Sequence, residues 1–559
     1  MASHNIVYKQ IVWDRLIAIV EEQAQTIIRT AFGTAAREAG DVSAAVFSVE
    51  GEMVAQAVTG TPGHVNSVAN SIRYFLEEFP AAAMREGDVY ITNDPWKATG
   101  HLFDVTIVTP VFDRGRLLCL VASNTHVADI GGMGVGPDAT QIYHEGLFIP
   151  ILKLYEAGRL VESVTKFIRA NVRSPRETLG DIHALVSCNE VAARRFRALR
   201  AEYGLDDFAD ISRFILETSR RGMENAIARV PEGSWSNVMM VDGFDHPVRL
   251  QATLTVKDRR ILVDFDGTSP AIKKALNVPL SYAQAYATFG IRCIIGPDIP
   301  NNTGSLSVID VTGPKGCILN AQYPSAVTAR ATIGMMMPDL MFGCLRQVLP
   351  DEVPAESADS LWNIRLVGGQ VAQNDSRPDG EMRLGKAFVQ TTFTTGGMGA
   401  RPKGDGLSAT AFPSGVRNTS IEVMETMAPI RFWRKEFRQD SGGPGRHRGG
   451  LGQVVEVEST EPADLLIAAT FDRVKFAPRG VEQGKDGSPG RLYLKSGKQL
   501  KAKGRQLVPA NDRLIVETPG GGGWGDPKAR DRQAVLADLR EGYISLEAAV
   551  ETYGLVDKG

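Results

Sequence analysis

Two short motifs, each with a histidine and an aspartate three residues apart, flank the most β-like run of this 559-residue chain. His101 and Asp104 precede the run at residues 105–112, and His126 and Asp129 follow it. Imidazole nitrogens and carboxylate oxygens are the usual protein ligands of a divalent metal that activates water. Histidine is scarce here, with eight in the whole chain. The arrangement therefore predicts a metal site at the ends of a strand.

A third candidate carboxylate is Asp41, which follows Gly40 and leads into a predicted strand at residues 42–47. With the two histidines and Asp104, it completes a ligand set that suits zinc, manganese or iron and is too rich in nitrogen for calcium. A single histidine or aspartate at a strand end is more often a cap or a satisfied polar group. The prediction therefore depends on the two motifs occurring together.

Length and charge bound the class of protein. A chain of this length exceeds a single hydrophobic core, so several domains are expected. The net charge is −3 with both signs mixed, which argues against binding to nucleic acid or to a membrane surface. No apolar run is long enough to cross a bilayer, and residues 1–10 lack the layout of a secretory signal. Five scattered cysteines without a CxxC pair favour reduced thiols in the cytoplasm.

The pattern of apolar residues predicts an α+β (mixed α/β) chain with several domains and a β-rich C-terminal domain. Helical periodicity predicts helices at residues 12–38 and 331–349, whereas short strands separated by glycine turns dominate after residue 430. The predicted divisions are an N-terminal metal-site domain at 1–232, a central α/β domain at 233–429, a β-rich C-terminal domain at 430–527 and a helical tail at 528–559.

Glycine is the outlier in composition. The chain has 57 glycines, with clusters at 131–136, 396–406, 442–452 and 520–525. Such clusters predict tight turns or close approach of the backbone to another group. The last cluster lacks the lysine and the serine or threonine of a P-loop and runs into Asp526 and Pro527, which favours a tight structural turn over a nucleotide site.

Longer segments resemble the hydantoinase B/oxoprolinase family. The similarity is carried by GDVYITNDP at 87–95, GHLFDVT at 100–106, HVADIGG at 126–132, IYHEGL at 142–147, NVR at 171–173, DFDGTSP at 264–270, PDIPNN at 297–302, GGMGARP at 396–402, DSGGPG at 440–445 and TPGGGGWGDP at 518–527. These segments occur in the family's order and span nearly the whole chain.

The resemblance implies a reaction and a partner. Members of the family include the B-type component of N-methylhydantoinase, the corresponding half of 5-oxoprolinase, caprolactamase, and components of acetone and acetophenone carboxylases. A separate A-type subunit binds ATP and phosphorylates the amide or enol oxygen of the substrate, and the B-type subunit carries a metal and completes the reaction. Matched position by position, the family's metal ligands correspond to Asp41, His101, Asp104 and His126. A hetero-oligomer with a hydantoinase A-type subunit is therefore expected.

Three further residues are candidates for catalysis: Asp129, His144 and Glu145. Asp129 would orient a ligand or act as general base, and capping of the turn at residues 131–132 is an equal alternative. His144 and Glu145 belong to the family-like segment at 142–147. All three are predicted from sequence position alone.

Other residues bear on substrate preference. Many family members have a second histidine where this chain has Val127, and residues 96–99 differ from the shorter, glycine-rich form of the family. Neither departure removes His126. Arg330 and Arg401 are isolated cations that can bind a phosphate or a carboxylate, although such arginines are more often solvated or structural.

The leading hypothesis is that the chain is the metal-bearing B-type subunit of an ATP-dependent hydrolase acting on cyclic amide C–N bonds. Its substrate would be a hydantoin, 5-oxoproline or another lactam. An alternative is a component of an ATP-dependent ketone carboxylase of the acetone or acetophenone type. A second alternative is a non-catalytic scaffold that holds the A-type subunit.

Overall fold

The computed structural model describes residues 6–205, 208–359, 361–369 and 388–555, and its mixture of helices and sheets confirms the predicted mixed α and β class. The helices are α1 (Ile6–Thr30), α2 (Thr34–Arg37), α3 (Pro62–Glu78), α4 (Glu162–Asn171), α5 (Pro175–Tyr203), α6 (Phe208–Ile227), α7 (Leu280–Ile294), α8 (Thr303–Leu306), α9 (Ala331–Gly334), α10 (Met337–Leu345), α11 (Ile421–Met427) and α12 (Arg532–Arg540). Among these described helices, none combines the length and hydropathy needed to span a membrane.

The strands fall into four sheets. They are β1 (Val42–Phe47), β2 (Met53–Gln56), β3 (Val89–Thr92), β4 (Asp104–Asp113), β5 (Arg116–His126), β6 (Leu152–Glu156), β7 (Arg159–Leu160), β8 (Gly233–Val241), β9 (Val248–Lys257), β10 (Arg260–Asp264), β11 (Ile309–Thr312), β12 (Ile364–Gly368), β13 (Phe388–Thr392), β14 (Ile430–Phe437), β15 (Gln453–Ser459), β16 (Leu465–Thr470), β17 (Arg491–Leu494), β18 (Lys503–Val508) and β19 (Leu514–Glu517).

The largest sheet has seven strands in the order β2-β1-β5-β4-β3-β6-β7. Successive side chains of a strand point to opposite faces. In β1, Val42 and Val46 belong to the core that α1 and α5 build on one face, whereas Ala45 and Phe47 pack with residues of α3 on the other. Because both faces are covered, this strand is apolar along almost its whole length.

Three four-stranded sheets make up the rest, in the orders β11-β10-β9-β8, β13-β12-β16-β18 and β14-β15-β19-β17. The first packs with α7 and α10 in a second core, and the other two share a third core. The domain boundaries at residues 232, 429 and 527 stay predictions. In the predicted tail, α12 is followed by a π-helical turn at Ala548–Thr552, and residues 556–559 lie outside the described residues.

Two predicted helices are interrupted. The helix predicted at 12–38 ends at Thr30 because the backbone N–H groups of Phe32 and Gly33 donate to Asp181 Oδ1 at 2.7 and 3.0 Å. The helix predicted at 331–349 is instead α9 and α10, and Pro338 lies in the first turn of α10. Proline is tolerated there because the first N–H groups of a helix have no helical partner.

The glycine clusters pack backbone against backbone. Gly450 N–H donates to Met398 O at 2.8 Å, and Gly521 N–H donates to Gly450 O at 2.9 Å. A Cβ added to Gly397 would lie 1.8 Å from Gly450 O. The predicted close approach is thus confirmed. Residues 520–523 form no turn or bend, so the interpretation of 520–525 as a tight turn is wrong for them. Gly525 is the one member of the cluster with a left-handed φ, at 77°.

A buried charge cluster joins α10 to the C-terminal sheets. Arg473, 1% exposed, lies 3.3 Å from Asp339, 3.0 Å from Glu356 and 2.8 Å from Asp359. Burial raises the pKa of Asp339 to about 6, and burial together with Asp339 raises the pKa of Asp359 well above its usual range. A proton on Asp359 relieves the repulsion between the two aspartates.

Replacing Asp359 by asparagine should therefore stabilise the protein at high pH. A raised folded pKa means that the fold binds a proton more tightly than the unfolded chain, so stability falls as pH rises through that range. Asparagine mimics the protonated carboxyl and tolerates the left-handed φ of 53°. We expect Asp359→Asn to gain on the order of 1 kcal/mol at about pH 8 and to converge with the wild type below about pH 4, where Asp359 is protonated in the unfolded chain as well.

Thermal unfolding at both pH values measures this effect. Asp258→Asn is the matched control, because Asp258 has a similar φ of 50° but is exposed. We expect no pH-dependent difference from that variant. Loss of stability in Asp359→Asn at high pH would instead mean that Arg473 needs the negative charge of Asp359.

Candidate metal centre

Strand pairing brings the predicted ligands to one end of the large sheet. Asp104 is the first residue of β4 and His126 the last residue of β5, and the two are direct partners in the antiparallel ladder. On the other side of β5, Val42 pairs with Thr125. Asp41, just before β1, lies on the same edge, and its carbonyl accepts a hydrogen bond from Thr125 Oγ1 at 2.8 Å.

Three of the predicted ligands converge. The ligand atoms of His101, Asp104 and His126 all lie within 4.8 Å of one another. His101 Nε2 is 2.6 Å and His126 Nδ1 is 3.3 Å from Asp104 Oδ1. Among the described residues, no other group of three or more histidine, cysteine, aspartate or glutamate side chains brings its ligand atoms within this distance.

The hydrogen bonding of His101 fits a metal ligand. Its Nδ1 lies 3.2 Å from the carbonyl oxygen of Thr328, which can only accept, so Nδ1 carries the proton. Burial and the nearby Arg330 lower the pKa of His101 to about 3, which keeps the ring neutral. Nε2 then carries a lone pair and no proton, so it cannot donate to Asp104 Oδ1, 2.6 Å away. This buried nitrogen has no hydrogen-bond partner among the described residues. A bound metal would satisfy it.

Asp41 joins the group through a histidine that the sequence reasoning missed. His64 Nε2 lies 2.9 Å from Asp104 Oδ2, and His64 Nδ1 lies 3.4 Å from Asp41 Oδ1. Burial alone would lower the pKa of His64, but Asp104 and Asp41 outweigh it and raise that pKa. Asp41 Oδ1 also accepts from Thr61 Oγ1 at 2.9 Å. His64 thus bridges the two carboxylates.

A signal for His64 was present in the sequence. It occupies the first turn of α3, after Gly63, where an added Cβ would lie 2.5 Å from Tyr286. The signal in the sequence is a scarce histidine that directly follows a glycine at the start of a helix. Its distance along the chain from the two motifs concealed the connection.

Arg330 is a structural part of this centre and is not isolated, which corrects the sequence-based interpretation. Its guanidinium donates to Asp104 Oδ2 at 2.6 Å and to the Thr99 carbonyl at 2.7 Å, and it lies 4.1 Å from the centre of the Tyr282 ring. Burial raises the pKa of Asp104, but His101, His64 and Arg330 outweigh burial and hold it well below its usual range. Arg401, by contrast, is exposed and donates to Asp405 O.

The three predicted catalytic residues lie outside the cavity wall. Asp129 forms an ion pair with Arg173 and accepts from Gly131 N–H at 3.3 Å. His144 is exposed, and its Nδ1 lies 3.3 Å from Thr140 Oγ1. Their catalytic roles stay predictions.

Glu145 has a positioning contact with the centre. Its Oε1 accepts from the backbone N–H groups of Val327 and Thr328 at 2.7 and 2.8 Å. The Thr328 carbonyl is the group that orients His101. Burial raises the pKa of Glu145 to about 7.

A cavity of about 180 Å³ lies at this centre. Its lining includes Asp41, His64, His101, Asp104, His126 and Arg330. Residues of β13 and β16, together with Asn363 and Arg365, line the same cavity. The cluster of imidazoles and carboxylates therefore shares a cavity with strands of a C-terminal sheet.

Comparisons with known proteins agree on one family. The hydantoinase B/oxoprolinase family model matches residues 5–527. The putative B-type subunit of a D-/L-hydantoinase from Pseudomonas sp. (strain NS671) is 28% identical over 574 aligned positions, covering 98% of this chain and 94% of the relative. The crystal structure of the ATP-dependent caprolactamase from Pseudomonas jessenii has a TM-score of 0.88 at 25% identity, covering 99% of this chain and 97% of that chain. Nucleotide-free acetone carboxylase shares the fold, with a TM-score of 0.84 at 19% identity over 100% of this chain and 80% of that chain.

Proposed function

Because this chain belongs to the hydantoinase B/oxoprolinase family, we propose that it is the metal-bearing B-type subunit of an ATP-dependent cyclic-amide hydrolase. The observation that carries the proposal is the meeting of His101, Asp104 and His126 at one wall of a cavity. The bond that breaks is the amide C–N bond of a hydantoin, of 5-oxoproline or of another lactam.

The proposed metal ligands are Asp41, His101, Asp104 and His126. Their nitrogen and carboxylate donors suit zinc, manganese or iron. The unpartnered, buried Nε2 of His101 supports this assignment. A divalent metal bound here supplies Lewis-acid activation to water or to an oxygen of the substrate.

The surrounding residues hold the ligands in place. The Thr328 carbonyl sets the ring orientation of His101, and Arg330 and His64 each contact Oδ2 of Asp104. Oδ1 of Asp104 is left facing the two ligand histidines. Partners of this kind fix the geometry of metal ligands and are costly to remove.

The proposed partner is a hydantoinase A-type subunit that binds ATP and phosphorylates the substrate. Amide resonance makes a lactam a poor electrophile, and phosphorylation of its oxygen removes that resonance. The Pseudomonas hydantoinase relative is named as one subunit of its enzyme, which supports an assembly with a second polypeptide. The glycine cluster at 520–523 is filled by its own backbone contacts, which supports an ATP site elsewhere. Five free cysteines fit a reducing cytoplasm.

Metal analysis of the purified chain is the first test. We expect near-stoichiometric metal in the wild type and its loss in the double variant His101→Ala, His126→Ala. His183→Ala is the control. His183 lies on α5, its Nδ1 is 3.4 Å from Tyr155 Oη, and it does not line the cavity. Equal metal in all three proteins would refute the ligand assignment and leave family membership intact.

Reconstitution with an A-type subunit separates the functional alternatives. The proposal expects ring opening only with both subunits and ATP. The ketone carboxylase, whose fold is shared, would instead consume ATP only with a ketone and bicarbonate. A scaffold would support full activity without His101 and His126. Turnover of a lactam by this chain alone would contradict the proposal.

A further inference from the structure

Arg365 is a buried cation that lines the cavity. It is 9% exposed and lies on β12. Among the described residues it has no ion pair and no side-chain hydrogen bond. Its guanidinium faces the ring of Phe103, whose centre is 6.0 Å away. Phe103 in turn stacks on the ligand candidate His126, with ring centres 5.3 Å apart.

Arg365 lies near the loop at residues 131–134, and two more arginines contact this loop. Arg173 donates to the carbonyls of Gly132 and Gly131 at 2.8 and 2.9 Å, and Arg505 donates to the Met133 carbonyl. A Cβ added to Gly134 would lie 3.2 Å from Arg365 Nη2 and 3.8 Å from Arg173 Nη2. The guanidinium groups of Arg365 and Arg173 therefore lie on one side of a single glycine.

Negative charge near these arginines is limited. Asp129 is the carboxylate that acts on Arg365, and it is already engaged by Arg173. Burial and the repulsion from Arg173 lower the pKa of Arg365 to about 10. An unpaired cation in a buried position is unfavourable. A negatively charged ligand in the cavity would remove that penalty.

Neighbouring polar groups complete the pocket. In the ladder Arg365 pairs with Thr391, and both line the cavity together with Thr470 and Asn363. Hydroxyl and amide groups beside a guanidinium are suited to the several oxygens of a tetrahedral anion.

We propose that Arg365 is the anion-binding group of this cavity and that it takes the phosphoryl group of the substrate activated on the partner subunit. This inference rests on the proposed function. The planar guanidinium offers two parallel N–H groups to phosphate oxygens. Arg365 thus binds the substrate's phosphoryl group in the cavity that His101, Asp104 and His126 also line.

Titration of the full-length chain with inorganic phosphate tests the inference. Calorimetry should show binding to the wild type, and Arg365→Met should weaken it about ten- to hundredfold. Arg365→Lys keeps the charge without the paired N–H groups and should show an intermediate loss. Arg401→Ala is the control, because Arg401 is exposed and outside the cavity. It should bind phosphate like the wild type.

Thermal melting provides a second readout that a merely structural arginine would not give. In phosphate-free buffer, Arg365→Met should melt at or above the wild-type temperature, because an unpaired buried charge has been removed. Added phosphate should raise the melting temperature of the wild type and not that of the variant. A large fall in melting temperature without phosphate would overturn the inference, as would equal phosphate affinity in both proteins.

Two further binding experiments, one with acetate and one with the double histidine variant, separate this inference from the proposed function. Acetate that binds as tightly as phosphate would overturn the phosphoryl assignment in favour of a carboxylate site. Phosphate binding that depends on Arg365 should persist in the variant His101→Ala, His126→Ala. If the wild type contains no metal but binds phosphate through Arg365, the anion site at Arg365 stands and the metal assignment of the proposed function fails. Normal metal content, together with phosphate binding that does not depend on Arg365, would overturn the inference and leave the proposed function intact.

Discussion

Replacing Asp104 by asparagine should abolish the metal binding proposed for this centre and also destabilise the protein. Asp104 is fully buried and contacts His101, His64 and Arg330. Asparagine keeps the volume but leaves Arg330, 3% exposed, without its counter-charge. Breaking a buried pair in this way costs about 3–5 kcal/mol. The proposed ATP-dependent ring opening should fall by more than the roughly 10–100-fold that loss of an outer-shell partner costs.

Asp113→Asn is the matched control for this variant. Asp113 ends the same strand that Asp104 begins, and it pairs with Arg200 near the surface. Because that pair is partly solvated, we expect a cost of about 1 kcal/mol or less and unchanged metal content. Denaturant unfolding and elemental analysis of both variants provide the comparison. An Asp104→Asn protein with normal metal would exclude Asp104 as a ligand.

Of the substitutions considered for stability, Gly521→Ala should disrupt folding most. The added Cβ would lie 2.1 Å from Met398 O and 2.3 Å from Met398 C. Both are backbone atoms held by hydrogen bonds to Gly450 and Leu407, so they cannot move aside. We expect a loss of about 4 kcal/mol or more, a range reserved for severe disruption. The protein should unfold early in denaturant or fail to accumulate in soluble form.

Gly222→Ala is the control, because the same substitution should act in the opposite direction. Gly222 lies within α6, where an added Cβ would meet the Ile299 side chain at an ordinary 3.5 Å. Alanine is the better helix former by about 1 kcal/mol, so this variant should be slightly more stable. If Gly521→Ala were tolerated as well as Gly222→Ala, the glycine segments would be less tightly packed than their contacts indicate.

Local sequence was sufficient for part of the centre. His101 and Asp104 are close along the chain, and β4 and β5 form a hairpin that returns His126 to Asp104. Such neighbours follow from strand patterns and a short turn. The helix breaks were harder. The end of α1 depends on Asp181, far along the chain, and no periodicity in residues 12–38 reports that contact.

The order and spacing of residues were enough for the family, for the mixed α and β class and for the group His101, Asp104 and His126. Only the packing of distant segments brings His64 and Arg330 onto Asp104 and places Arg365 in the same cavity. Strand pairing follows local patterns, whereas contacts between sheets and helices far apart in sequence depend on which surfaces bury each other. The charges around the cavity are therefore a property of the folded chain.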